Sequence, residues 1–184
     1  MDWIYKIKGC LLLPIVAFYK LFIPCNLKRL VSADFRHWCK WQDFRPTMMN
    51  FAVLFAKLRE FRSVVYKRIG WRKIFVYWAL KPQDHCYLAC DNIGPGLIIQ
   101  HGYSTVVVAE KIGKNFHVNQ CVNIVWNGNE RCLIGDNVTV CAGAIIVGGV
   151  RIGNNVMVGA GTVVVKDIPD NCTVVGNPMR IIHR

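Results

Sequence analysis

The stretch LIGDNVTVCAGAIIVGGVRIGNNVMVGAGTVVV, residues 133–165, repeats itself every six residues. An α-helix has a period of 3.6 residues and an amphipathic strand a period of two, so neither explains a period of six. Aliphatic residues occupy one phase of the repeat, and small or aliphatic residues follow four positions after each of them. The first set is Ile134, Val140, Ile146, Ile152, Val158 and Val164, and the second is Val138, Ala144, Val150, Val156, Thr162 and Ile168.

A period of six fits a coil of three short strands with one inward aliphatic residue per strand and a tight turn at each corner. Stacked coils of this kind bury a continuous aliphatic column. Gly, Asn and Asp favour such turns because they tolerate positive φ, and Asp136-Asn137 and Asn154-Asn155 stand where turns are needed. The same period runs earlier through Ile93, Ile99, Ile112, Val118 and Ile124. The pattern predicts a mainly β fold, a parallel β-helix, rather than a β-sandwich with chance spacing.

Two interruptions break the period. Ile99 and Ile112 are thirteen residues apart, two hexads plus one, so the phase slips just after His101. Ile124 and Ile134 are ten residues apart, so residues 125–133 are predicted to bulge out as a loop. In repeat proteins, insertions on one side commonly form the binding or active site.

The residues before the repeats have a different composition. Residues 1–81 hold 16 Lys/Arg against 4 Asp/Glu, together with 17 of the 21 aromatic residues, whereas residues 82–184 hold 7 basic and 7 acidic residues. Apolar residues at helical spacing in 50–71 predict one amphipathic helix that ends at Gly70. We therefore predict a basic, aromatic-rich helical segment over 1–82 and a β-helix domain over 83–184.

The basic segment limits the classes of partner. Its apolar run, residues 9–18, is shorter than the ~20 residues that span a bilayer. Peripheral contact of residues 1–81 with an anionic membrane is one alternative, and a helical cap on the first coil with solvated charges is the other. No nucleic-acid motif is present, so no nucleic-acid partner is expected.

The nine cysteines are odd in number and form no CxxC pair or Cys/His set. We therefore expect no metal site and a cytoplasmic location, with the inner face of the membrane as an option.

Three motifs carry a resemblance to a known family: IGPGLIIQHG (residues 93–102), the hexapeptide repeat, and GAGTVVVKDIPDNCTVVGNPMRII (residues 159–182). Residues 93–184 resemble the hexapeptide-repeat acyltransferases, and within them the serine acetyltransferase-like group. EFRSVVYKRIG, residues 60–70, is more weakly similar to members that serve surface-polysaccharide synthesis. The resemblance implies a left-handed β-helix, a homotrimer with active sites between subunits, and direct acetyl transfer from acetyl-CoA to a hydroxyl group.

The resemblance also implies roles for particular residues. His101 matches the catalytic histidine, which acts as the general base on the acceptor hydroxyl. The resemblance implies four cofactor-binding residues: Ala142 and Ala160 along the pantetheine arm, and Lys166 and Arg180 near the CoA phosphates. The alternative for His101 is a structural turn histidine, and for the two cations it is a solvated charge.

The sequence departs from the family pattern around His101. Gln100 stands where serine acetyltransferases usually have an Asp, and Cys86 stands where a second Asp orients the histidine. Asp84, Asp91 and Glu110 are the candidate carboxylates that could replace it. Residues 125–133 lack the family's second histidine, and Arg131 stands roughly in its place; His117 is the remaining candidate histidine.

These departures lead to competing predictions for the acceptor. Uncharged hydrogen-bonding groups favour a sugar hydroxyl, in a polysaccharide or its lipid-linked precursor, as the main expectation. Serine O-acetylation for cysteine synthesis is the second, and a non-catalytic β-helix scaffold with a membrane-binding arm is the third. The expected acceptor-binding residues are Gln100, Asn119, Gln120 and Arg131, with Asn127 and Asn129 as further amides.

Overall fold

The computed structural model describes residues 3–128 and 130–183. The chain divides into two compact units, Met1–Gln83 and Asp84–Arg184, one residue beyond the boundary expected from composition. The first unit is helical, with a short 3-10 segment at Gly70–Lys73 before its last helix. Its helices are α1 (Trp3–Phe22), α2 (Cys25–Trp41), α3 (Met48–Lys57), α4 (Arg59–Ile69) and α5 (Ile74–Tyr77).

The second unit is the predicted left-handed parallel β-helix, with about five turns. All of its strand pairs are parallel except the last, β13 with β14. The strands are β1 (Cys86–Ala89), β2 (Asn92–Ile93), β3 (Ile98–Ile99), β4 (Thr105–Ile112), β5 (His117–Val118), β6 (Asn123–Val125), β7 (Cys132–Ile134), β8 (Thr139–Val140), β9 (Ile145–Val147), β10 (Arg151–Ile152), β11 (Met157–Val158), β12 (Val163–Val164), β13 (Cys172–Val175) and β14 (Arg180–His183).

The strands form three faces of a triangular coil. Face A contains β1, the first half of β4, β6, β9 and β12; face B contains β2, the second half of β4, β7 and β10. Face C contains β3, β5, β8, β11 and β13. Every hexad residue of both predicted sets is buried, at 0–7 % exposure. The prediction that these residues point inward is therefore confirmed. Ile134, Val140 and Ile146 pair with the residues eighteen positions later, so one coil contains three hexads and equivalent residues stack in columns.

The corner between faces B and C is a ladder of asparagine side chains. Asn115 donates to Asn137, Asn137 to Asn155 and Asn155 to Asn171, at 2.7–2.8 Å. All four have positive φ, between 55° and 59°. The two predicted Asx turns thus belong to a longer structural column, which satisfies amide groups and holds consecutive coils together.

Both predicted interruptions are present, each at a different corner. The inward residues Ile99, Val107 and Ile112 are eight and then five residues apart, so two extra residues enter the corner after His101. Ile124 pairs with Ile146, 22 residues on, because residues 126–131 form a loop between faces A and B. We call the corner between faces C and A (residues 100–104, 119–122, 141–144 and 159–162) the His101 corner. We call that between faces A and B (residues 90–91, 109–110, 126–131, 148–150 and 165–167) the loop corner.

The single helix expected over residues 50–71 is wrong: α3 ends at Lys57, and Leu58 is extended, with φ −102° and ψ 112°. The cause is Arg62, whose buried guanidinium donates 2.8 and 3.0 Å hydrogen bonds to the carbonyl oxygens of Phe55 and Ala56. Those carbonyls end α3, and a side-chain donor satisfies them instead of further helix. The predicted stop at Gly70, with φ 61°, is confirmed.

The helical unit contains a buried ion pair and several exposed aromatic side chains. Asp34 of α2 accepts hydrogen bonds of 2.7 and 3.1 Å from Arg68 of α4, in a pair that is nearly inaccessible to solvent. Trp71, Phe75 and Trp78 remain 66–80 % exposed. Over the described residues, no helix has both the length and the apolar character needed to cross a bilayer.

Candidate active site

Counted from the end of face C, His101, Gln120, Ala142 and Ala160 occupy the same position in four successive coils at the His101 corner. The residue before each of them donates its backbone N–H to a face C carbonyl of the next coil: Gln100 to Val118, Asn119 to Val140, Cys141 to Val158 and Gly159 to Val174. The two residues inserted after His101 bring the Tyr103 carbonyl to the place that the Gln120 and Ala142 carbonyls take in later coils. Neighbouring coils are ~4.8 Å apart. The column from His101 to Ala160 therefore spans three coil steps, roughly 14 Å. The predicted catalytic residue thus shares one ridge with two predicted cofactor residues.

The backbone at His101 is in the left-handed region, with φ 63°. Its carbonyl accepts a 2.7 Å hydrogen bond from the N–H of Tyr103, and the Tyr103 carbonyl accepts one from the N–H of Cys121 in the next coil. The buried Thr105 hydroxyl donates to the Asn119 carbonyl at 3.1 Å. Left-handed backbone is uncommon for residues other than Gly and Asn and persists where its surroundings fix it, often at functional sites.

The imidazole of His101 lies at the surface, and within the part of the chain that is described it makes no side-chain hydrogen bond. The side chain of Gln100, the residue before His101, contacts a histidine of the next coil. Its Oε1 lies 3.0 Å from Nε2 of His117, which is half-buried on face C. The two residues are thus brought together by the pairing of β3 with β5.

Asn119 and Gln120 lie at the same corner, one coil below His101. The Oδ1 atom of Asn119 and the Oε1 atom of Gln120 are buried without a hydrogen-bond donor in the described residues. A buried acceptor that lacks a partner costs ~1–3 kcal/mol. Both amides are therefore groups from which a ligand or a neighbouring subunit could gain binding energy by supplying a donor.

The candidate orienting carboxylates lie in different places. Asp84 is exposed just before β1, whose Cys86 pairs with Thr105 near the His101 corner. Asp91 and Glu110 are exposed at the loop corner, across face A from His101. Of these three candidate carboxylates, Asp84 is therefore the one that lies near the His101 corner within a single chain.

Arg131 is exposed in the loop 126–131, not at the His101 corner. The loop packs over the turn of the following coil, where a Cβ on Gly149 would lie 2.7–2.8 Å from side-chain atoms of Glu130. Asn127 is described and pairs with Glu130, whereas Asn129 lies outside the described residues. Of the predicted acceptor-binding set, the chain thus gathers Gln100, Asn119 and Gln120 and separates Arg131.

The cofactor candidates also divide between the corners. Ala142 and Ala160 keep the part of the His101 ridge beyond Gln120 free of bulky side chains. Lys166 is exposed at the loop corner just after β12, and Arg180 is exposed at the start of β14, paired with Val175. Both cations lie at the last coil, at the end of the β-helix far from His101.

Cys141 lies at the His101 corner with a partly buried thiol. Burial raises the pKa of Cys141, which follows β8, so its thiol stays protonated at neutral pH. Among described residues, no three His, Cys, Asp or Glu side chains are placed to hold a metal ion.

Two residues that matter for the corner are not evident in the sequence. Thr105 is fully buried and bonds both Tyr103 and Asn119, which fixes the inserted turn. Cys121 adopts φ 58° at the position that Gly143 and Gly161 occupy in later coils. The signal for Cys121 is its alignment with those glycines once the coils are counted; Thr105 carried no signal beyond its place in an apolar run.

Coil spacing, inward aliphatic columns and left-handed parallel winding define the second unit as a hexapeptide-repeat β-helix. Residues 131–166 match the hexapeptide transferase repeat family, described as bacterial transferase hexapeptide (six repeats). The resemblance to its serine acetyltransferase-like group is thus confirmed.

Curated proteins and solved structures that are similar to this chain agree with the resemblance to serine acetyltransferases. The chain is 39 % identical over 98 residues to a serine acetyltransferase of Synechococcus elongatus, covering 50 % of this chain and 40 % of the relative. It is 42 % identical over 97 residues to one of Staphylococcus aureus, covering 50 % and 45 %. The crystal structure of Neisseria gonorrhoeae serine acetyltransferase in complex with serine matches with a TM-score of 0.66 and 27 % identity, over 85 % of this chain and 69 % of that one. The chain thus spans less than half the length of the curated relatives.

Proposed function

We propose that this chain transfers the acetyl group of acetyl-CoA to an alcohol hydroxyl, with L-serine as the acceptor that its relatives favour. The observation that carries the proposal is the ridge that puts His101 in line with Ala142 and Ala160, in a fold shared with a serine acetyltransferase solved with serine. The expectation of a sugar acceptor finds no support among the relatives, which are serine acetyltransferases.

In this proposal His101 is the general base. The acceptor oxygen attacks the thioester carbonyl carbon while its proton passes to the imidazole. Backbone N–H groups of the corner stabilise the oxyanion of the tetrahedral intermediate. Its collapse releases the CoA thiolate, which takes the proton back from the imidazolium. A protonated Cys141 is consistent with transfer that forms no acyl-cysteine.

The donor would lie along the His101 corner, with its acetyl end at His101 and its phosphates at the last coil. Ala142 and Ala160 permit a close approach of the pantetheine arm to the backbone. Arg180 supplies positive charge at the end where the phosphates would lie, and Lys166, at the loop corner of the same coil, would reach them from an adjoining subunit. Charge-assisted bonds to phosphate are among the stronger ones.

Lys166→Ala is expected to raise the acetyl-CoA KM severalfold more than it lowers kcat. Phosphates far from the reacting carbonyl contribute equally to ground-state and transition-state binding, so their loss appears in KM. Initial-rate kinetics with varied acetyl-CoA measures the split. Lys114→Ala removes an equally exposed cation on another corner and should change neither constant. An unchanged KM in Lys166→Ala would remove Lys166 from the phosphate site.

Recognition of L-serine requires partners for a carboxylate and an ammonium group, because unpaired charges in a closed site are costly. Arg131 fits the carboxylate, but it lies at the loop corner, across face A from His101. The proposal therefore includes a homotrimer in which the loop corner of one subunit adjoins the His101 corner of the next. The exposed outward apolar residues of face A, such as Tyr87 and Ile145, support such an interface, and sedimentation equilibrium measures the subunit number.

A sugar remains the second candidate acceptor because of one observation. The three amide side chains at the His101 corner, Gln100, Asn119 and Gln120, are uncharged, and two of them carry acceptor oxygens without donors. A neutral polyol would supply hydroxyl donors to such oxygens without any charge to pair.

Release of free CoA thiol distinguishes the acceptors. We expect saturable turnover with L-serine and none above the hydrolysis background with L-alanine, which differs from serine only by the hydroxyl. Mono- and oligosaccharides at the same concentration should react at least about tenfold more slowly, since a site built for a substrate's polar groups discriminates strongly against compounds that leave those groups unpaired. Faster turnover on a saccharide than on L-serine would reverse the two candidates.

Contact of residues 1–81 with an anionic membrane stays a prediction. The exposed side chains that would make it are Trp71, Phe75 and Trp78, next to the exposed Lys73. Amphipathic aromatic and basic surfaces bind at the interface of anionic bilayers. Co-sedimentation with phosphatidylglycerol vesicles, compared with neutral phosphatidylcholine vesicles, tests it.

A further inference from the structure

We propose that the helical unit binds one single-chain anionic amphiphile, a hydrocarbon chain with a carboxylate or phosphate group at its end. The site is a cavity of about 530 Å³ whose described lining residues all belong to the first unit, from α1 to α5. That volume lies within the ~300–1,000 Å³ typical of small-molecule sites. The proposal goes beyond acetyl transfer and does not depend on it.

The floor of the cavity is apolar and firmly packed. Its buried side chains include Val31, Phe35, Phe55, Val65 and Val76. Phe35 is held edge-on against Phe51 of α3, with ring centroids 5.1 Å apart. An apolar volume of this size left empty is costly, because the lining atoms lose contacts on one side. Water is a poor occupant, since it needs polar partners that this floor lacks. A hydrocarbon chain fills it at no such cost.

The mouth of the cavity is cationic. Lys28, Ser32 and Arg36 line it at intervals of four residues along α2, hence on one face of that helix. Unlike the floor residues they are half-buried or exposed, so they lie toward solvent. Thr47 also lines the cavity and caps the N-terminus of α3, the positive end of that helix. The mouth therefore gathers two cationic side chains and a helix N-terminus over one opening.

The mouth carries no carboxylate among the described lining residues. Asp34, the one acidic residue of α2, is turned to Arg68, which it binds through both carboxylate oxygens. A cationic opening above an apolar floor matches a ligand with an anionic head and a hydrocarbon tail. A second copy of this chain matches less well, because it would bring a segment of the same strong positive charge to the opening.

Isothermal titration of the full chain with dodecyl phosphate, kept below its micelle concentration, tests the proposal. We expect saturable binding at one molecule per chain, and comparable binding of dodecanoate, because the two cationic side chains of the mouth pair with either anionic head group. Inorganic phosphate and dodecyl maltoside each present half of the ligand's chemistry and should bind at least about tenfold more weakly. The double variant Lys28→Gln/Arg36→Gln should weaken dodecyl phosphate binding at least about tenfold.

Matched controls separate the site from general charge and from folding. Arg29→Gln/Lys40→Gln removes the same charge from exposed positions of α2 outside the lining and should leave binding within about twofold. Val31→Phe, or Val65→Phe if the first lowers the melting temperature, fills the floor and should abolish binding. The proposal is overturned by any of three results: no saturable binding to the wild-type chain, equal weakening in the two double variants, or amphiphile binding that only dissociates an oligomer.

Discussion

His101→Ala is expected to fold and to bind acetyl-CoA while its turnover falls by ~10²- to 10⁴-fold. An alcohol is a weak nucleophile at neutral pH, so the transition state depends on a base that takes its proton. His101 lies exposed at the head of the ridge that carries Ala142 and Ala160, where an acetyl group at the end of an extended donor would arrive. Single-turnover release of CoA and a separate binding titration measure the two effects.

A backbone control is needed because His101 has φ 63°. Alanine is strained in that region, so loss of activity in His101→Ala could come from a shifted turn. Asparagine tolerates left-handed backbone better, as the Asn115 ladder in this same chain illustrates. His101→Asn should therefore lose as much turnover as His101→Ala with a smaller loss of stability. Transfer near the wild-type rate in His101→Asn would return His101 to a purely structural role.

The periodicity of the sequence was sufficient to predict the β-helix and its inward columns. A hexad repeat is a local property of the chain, and a residue such as Val140 or Val158 takes its inward direction from the phase alone. The same counting located both interruptions, after His101 and at residues 125–133. No tertiary information is required for either, because each coil repeats the one before it.

The composition of the site depends on how the coils are stacked, which the sequence does not state. Gln100 stays a predicted acceptor-binding amide, and β3–β5 pairing adds a contact that the sequence does not show, 3.0 Å from its Oε1 to Nε2 of His117. Glu110 follows His101 closely in the chain, yet β4 carries it across face A to the loop corner. Which side chains share a corner was decided by the two residues inserted after Ile99.

In the helical unit, the prediction of one continuous helix was wrong at Leu58, where the side chain of Arg62 stabilises a break in the helix. Nothing at Leu58 itself predicts a break, since neither Pro nor Gly is near it. Arg62 makes the break favourable by donating to the carbonyls of Phe55 and Ala56, while its Nε donates to the Lys81 carbonyl at 2.8 Å. Helical spacing cannot anticipate these contacts, because the bonds to Phe55 and Ala56 span seven and six residues and the bond to Lys81 spans 19.

Ile152→Asp is expected to abolish folding of the β-helix. Ile152 is 3 % exposed, pairs with Ile134 of β7 and bridges Ile168 in the last coil. The carboxylate would enter an aliphatic column that offers no donor, and either form of it, ionised or neutral, loses hydration there. We expect a loss of at least about 4 kcal/mol, a large share of a typical domain's stability. Solubility and a thermal melt followed by circular dichroism measure it.

Two controls show whether the inward position or the substitution itself is responsible. Ile152→Val keeps the column apolar and should cost only ~0.5–1.5 kcal/mol. Arg151→Asn changes the neighbouring outward residue of the same strand and should fall within ~0.5 kcal/mol of wild type. Each inward residue packs against the inward residues of the coils on either side. A substitution at Ile152 therefore removes packing contacts from Ile134 and Ile168, and the whole β-helix should unfold as one unit. A soluble Ile152→Asp protein with a cooperative melt near that of Ile152→Val would contradict the inward column and, with it, the coil register that places His101 above Ala142 and Ala160.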